Sequence, residues 1–89
     1  MNMRYVVLNG DAITSKDRLY DALEEHFDLP AYFSRNLDSL NDSLTGQKLT
    51  VEIRNSAGLI ENLGGYGEKF LRMMKDLDKR NSGITVIEK

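Results

Sequence analysis

Apolar positions along this chain change their spacing from one segment to the next, and each spacing predicts an element. Met3 to Leu8 (MRYVVL) is rich in β-formers and bounded by Asn9-Gly10, which predicts a largely buried strand. Asn-Gly can close a hairpin, but Ala12-Ile13 is too short a return segment to pair, so a plain loop follows. Leu19, Ala22, Leu23 and Phe27 then recur at helical spacing, with Asp17, Asp21, Glu24 and Glu25 on other faces. Thr14 or Ser15 is placed to cap this helix, and Pro30 ends the connection after it.

A second helix is predicted from about Ser34, its expected N-cap, to Leu44. Phe33, Leu37, Leu40 and Leu44 form its apolar stripe, and Gly46 is placed for a left-handed C-terminal turn. Leu49 to Ile53 (LTVEI) alternates apolar and polar residues, as a half-exposed edge strand would. Ala57 to Leu63 predicts a short helix, broken at Gly64-Gly65. A longer amphipathic helix runs from Tyr66 to about Arg80 and buries Tyr66, Phe70, Met73, Met74 and Leu77, with Asn81-Ser82-Gly83 as its stop. Ile84 to Ile87 (ITVI) is the final strand. The order is β-α-α-β-α-α-β, and strands separated by helices pair in parallel. The expected fold is α/β, a three-stranded parallel sheet packed against helices, in one domain over residues 1–89.

Composition narrows the function classes. The 89 residues contain no cysteine, which excludes a disulfide framework and a thiolate metal site and favours the cytoplasm. Nothing resembles a signal peptide or a membrane span. The net charge of −2 counts against direct nucleic-acid binding, which calls for a basic face.

The chemistry-bearing residues are few. Asp38 and Asp42 stand at i and i+4, so both carboxylates share one helical face, and no base lies between Asn36 and Gly46. The plain reading is a solvated helix face. The functional reading is an anionic ridge offered to a cationic partner through charge-assisted hydrogen bonds. A general acid–base pair is disfavoured, because catalytic carboxylates sit in clefts that shift their pKa. His26, the single histidine, ends the first helix, where its cation suits the helix dipole, and one histidine makes a zinc site improbable. Gly64-Gly65-Tyr66-Gly67 lacks the spacing and lysine of a phosphate loop and reads as a break between helices. Met73 and Met74 read as core filling.

The segment from Pro30 to Gly46 (PAYFSRNLDSLNDSLTG) resembles the signature region of the barstar family. The proline, Tyr32, the aromatic Phe33, Asn36, both aspartates and the Thr45-Gly46 end recur in register over these 17 residues. Beyond it the resemblance is looser, carried by Asn9-Gly10, Arg54 and Ile84 to Ile87. It implies a non-enzymatic, cofactor-free intracellular inhibitor of a barnase-like, guanyl-preferring ribonuclease that is itself extracellular. Such an inhibitor is a monomer and forms a 1:1 complex by inserting the second helix and the loop before it into the active site. By position, Asp42 matches the aspartate that enters the phosphate pocket, and Asp38 the second helical acid. Tyr32 matches an aromatic that packs on the catalytic histidine. Asn36, Thr45 and Gly46 match contacts at the helix ends, and Asp76 a further anionic contact. Asn41, also on the expected surface, stands where better-known members have tryptophan, and Arg80 where the best-known inhibitor has an acid. From Tyr66 to Asn81 five bases outnumber three acids. The connection from Gly46 to the second strand is shorter than in the best-known member and lacks its proline. These departures motivate an alternative: an interaction or immunity module of the same fold directed at another nuclease or toxin domain.

Overall fold

The structure, a computed structural model, describes residues 4–80 and 83–89. Met3 and the Asn81-Ser82 helix stop lie outside the described residues. The elements are β1 (Arg4–Asn9), α1 (Lys16–His26), α2 (Leu37–Leu44), β2 (Leu49–Arg54), α3 (Ser56–Leu63), α4 (Gly65–Arg80) and β3 (Ile84–Glu88). The three strands form one parallel sheet in the order β1-β2-β3, with Val6, Val51 and Val86 aligned across it. The α/β architecture and the β-α-α-β-α-α-β order therefore match the sequence reading. Both crossovers step the same way along the sheet, so right-handed connections bring both helical pairs onto one face. Val6, Leu8, Leu49, Val51, Ile53 and Ile84 point into that layer and join Leu19, Leu23, Leu40, Leu44, Leu59, Phe70 and Met74 in the core. Each such fully buried side chain contributes about 1.5–3 kcal/mol.

Two expectations are corrected. β2 is the central strand and not an edge, since it pairs with both neighbours. Its polar position Glu52 is only 4% exposed. Tyr5 Oη donates to Glu52 Oε1, Arg54 Nε donates to Oε2 at 2.5 Å, and Lys89 Nζ stands 3.8 Å from Oε1. A buried carboxylate with partners leaves the same alternating pattern as an exposed one. The second helix starts at Leu37, and its N-cap is Asn36 instead of Ser34. Asn36 is extended (φ −148°, ψ 164°), and its Oδ1 accepts from the Ser39 amide at 2.7 Å. Phe33 thus packs from the loop, its ring 6.0 Å from that of Tyr20. Ser15 caps α1, accepting from the Arg18 amide. Met73 and Tyr66 are half-buried at the core margin.

Two glycines have fixed reasons. A Cβ on Gly10 would lie 2.2 Å from the Asn55 carbonyl oxygen, because the β1–α1 turn donates from the Gly10 amide to Arg54. Gly46 has φ +91°, the left-handed turn expected after the second helix.

Candidate functional site

The loop from Pro30 to Asn36 and the helix it feeds are held by three devices. The Phe33 amide donates to the Pro30 carbonyl at 3.0 Å, which forms a turn. That turn sends Phe33 inward and leaves Tyr32 88% exposed. Asn36 caps the helix as described. The third device is Arg35. Its Nε and an Nη atom donate to the two carboxylate oxygens of Glu24, each at 3.0 Å, and the same Nη donates to Asp21 Oδ1 at 2.8 Å. Asp17 completes the cluster at 3.9 Å. Single surface ion pairs are worth little, but a bidentate arginine shared among several carboxylates fixes geometry. The hydrogen bond from Arg35 holds the Glu24 carboxyl below its ordinary range, and Glu24 and then Asp21 raise the guanidinium in turn. Sequence reasoning did not single out Arg35. The signal was present: Asp17, Asp21 and Glu24 stand at i, i+4 and i+7 on α1, facing a loop with one cation.

α2 divides cleanly. Leu40 and Leu44 are fully buried and Leu37 half-buried, which anchors one side in the core. Asp38, Asn41, Asp42 and Thr45 follow each other at i, i+3, i+4 and i+7 along the other side. Asp38 and Asp42 are exposed, and neither carboxylate has an ion pair or side-chain hydrogen bond among the described residues. Thr45 closes the helix: its amide and its Oγ1 both donate to the Asn41 carbonyl, at 3.1 and 2.8 Å. Its side chain is thereby fixed, and the exposed Gly46 backbone turns away from the helix.

The remaining expected residues lie where α2 packs against α4. Asp38, Asn41 and Asp76 line one groove of about 330 Å³ with Leu37, Lys69, Arg72, Met73 and Arg80. Arg80 donates from an Nη atom to Asn41 Oδ1 and from Nε to the Asp76 carbonyl, both at 3.4 Å. So Asp38, Asn41, Asp42, Thr45 and Gly46 share one helix and its end, Tyr32 and Asn36 precede it, and Asp76 joins through the groove. Asn36 uses its Oδ1 on the cap, and its side-chain amide nitrogen makes no hydrogen bond among the described residues.

His26 is exposed, and its carbonyl accepts from the Arg4 guanidinium. Gly64 caps α3 with φ +62°, and Gly65 opens α4, so the glycine-rich segment is a helix–helix break. Among the described residues no cluster of His, Cys, Asp and Glu could hold a metal ion, and no helix is long and apolar enough to cross a membrane.

The fold and this face define a small α/β protein that presents a short, capped acidic helix on a rigid layer. The sequence matches the family model for Barstar (barnase inhibitor) over residues 3–87, and the chain belongs to the barstar family. It is also 32% identical over 77 residues to the Bacillus subtilis (strain 168) protein named "Putative ribonuclease inhibitor YrdF", a match that covers 83% of this chain and 85% of that one.

Proposed function

We propose that this protein inhibits a barnase-like, guanyl-preferring ribonuclease inside the cell that secretes the enzyme, as a monomer in a 1:1 complex. α2 and the loop before it enter the active site. The Asp42 and Asp38 carboxylates take the places of RNA phosphates among the enzyme's cations, Tyr32 covers its catalytic histidine, and Asn36, Thr45 and Gly46 frame the contact. Asp76 and Asn41 extend it across the groove. Family membership and the relative's name support ribonuclease inhibition as the general activity. The observation that carries the specific reading is that Asp42 stands exposed and, among the described residues, without an ion pair on a helix whose other side is locked into the core. No ion pair among the described residues neutralises that carboxylate, so its charge is available to a partner.

The test is inhibition of a panel of purified barnase-type ribonucleases by the wild type, Asp42→Ala and Asp76→Ala. Losing one member of a desolvated charge pair costs about 2–5 kcal/mol, a range that comes from this family's own type complex and not from this structure. Asp42→Ala is expected to lose most inhibition and Asp76→Ala little. Equal losses would remove Asp42 from the centre of the contact. The second reading, an immunity module against another nuclease or toxin domain, is favoured by one observation: Arg80 reaches over Asn41 in the middle of the face. Inhibition of a non-guanyl-preferring nuclease, with none in the panel, would select it.

A further inference from the structure

The groove between α2 and α4 holds five charged side chains, Asp38, Asp76, Lys69, Arg72 and Arg80. Charges of opposite sign in one groove normally pair. Among the described residues, no ion pair joins any two of these five, whereas Lys75, one turn away on α4, is paired with Glu88 at 3.2 Å. Among the described residues Lys69 and Arg72 form no ion pair, and the hydrogen bonds that Arg80 makes there go to a carbonyl and an amide oxygen. Leu37 and Met73, both half-buried, supply an apolar lining beside them. The groove shares Asp38 and Asn41 with the acidic side of α2, so it continues the face proposed to meet the ribonuclease.

We infer that Lys69, Arg72 and Arg80 form a cationic flank that receives an acidic loop of the ribonuclease, one carrying an apolar side chain for Leu37 and Met73 and at least one carboxylate beside it. The inference rests on the proposed function and adds the chemistry of the partner. The contact is bipartite. Acids on α2 meet the enzyme's cationic centre, and bases on α4 meet acids on its rim. A ribonuclease whose rim is basic throughout is rejected, because like charges brought together across an interface cost enough to shift affinity by more than tenfold. Arg72 and Arg80 are then specificity-determining residues.

The experiment measures inhibition and association rate against the panel ribonuclease that the wild type inhibits most tightly. The variants are Arg72→Glu, Arg72→Glu/Arg80→Glu, Arg18→Glu and Asp42→Ala. Arg72 makes no side-chain hydrogen bond among the described residues, so its reversal changes charge without releasing Asn41. Arg18→Glu makes the same charge change on α1, outside the groove, and circular dichroism checks that each variant is folded. Arg72→Glu is expected to weaken inhibition severalfold and the double variant about tenfold or more, mostly through slower association, with Arg18→Glu close to wild type. If Asp42→Ala loses inhibition while the double variant equals or exceeds the wild type, the cationic flank is refuted and the proposed function stands. A loss as large for Arg18→Glu as for the double variant reduces the effect to net charge and also refutes it. If no ribonuclease is inhibited by the wild type, or Asp42→Ala inhibits equally well, the functional reading falls and the inference falls with it.

Discussion

Glu52 shows what one residue can hide. Its carboxylate lies under the open face of the sheet, and the hydrogen bond from Arg54, then that from Tyr5, lower its pKa from the usual 4.5 to about 2. A carboxylate held below its unfolded value stabilises the fold fully above pH 4.5. That stabilisation is lost as the pH falls from there through 2. Glu52→Gln mimics the protonated group and removes the charge that Arg54 and Lys89 face. The variant is therefore expected to be less stable than the wild type at neutral pH, and the gap is expected to narrow as the pH drops below 4.5. Urea denaturation of both proteins at several pH values reads this directly. A gap that stays constant with pH would show that the Glu52 charge adds nothing to the fold. The same residue explains why the sequence pattern misplaced β2. A period-two alternation reports which side chains are polar and is silent on whether a partner lets a polar one be buried.

Among the elements, α2 carries the argument, and its eight residues are too few to hold a helix alone. Leu40 and Leu44 anchor it below, Thr45 closes one end and Asn36 the other. Asn36→Ala removes the cap and is expected to cost about 1 kcal/mol, with Asn36→Asp restoring most of it. Inhibition data on the two variants then separate roles: an Asn36→Asp protein that is stable but inhibits weakly places the side-chain amide nitrogen in the partner contact. The existence and order of all seven elements were legible, because amphipathic stripes such as Leu19-Leu23 and Phe70-Met74-Leu77 have an unambiguous period. The start of α2 was not. Ser34 and Asn36 are both good caps by type, and spacing alone does not show that Asn36 is the one whose Oδ1 accepts from the Ser39 amide. The Asp38–Asp42 face was legible from spacing alone. The α1 acids at i, i+4 and i+7 signalled the Arg35 clamp but did not fix its partner, and the groove cations were not legible, since they depend on which surfaces of α2 and α4 meet.

At the scale of the whole molecule, net charge is a poor guide to how a partner approaches. The sum is only −2, and a uniform −2 would steer weakly. The molecule measures 35 × 29 × 20 Å, whereas screening in about 0.1 M salt sets in over roughly 10 Å. An approaching enzyme therefore senses the nearest patch and not the total. Asp38 and Asp42 form such a patch, with neither carboxylate in an ion pair among the described residues. Association with the inhibited ribonuclease is expected to slow as salt rises from low concentration to roughly 0.3 M. Asp38→Asn/Asp42→Asn should flatten that dependence. Glu61→Gln, which neutralises an exposed acid on α3, should leave it nearly unchanged. Stopped-flow association rates at several salt concentrations measure both slopes. Parallel slopes for the two variants, scaled only by charge lost, would mean that the molecule acts as a point charge, and α2 would have no special place in the encounter.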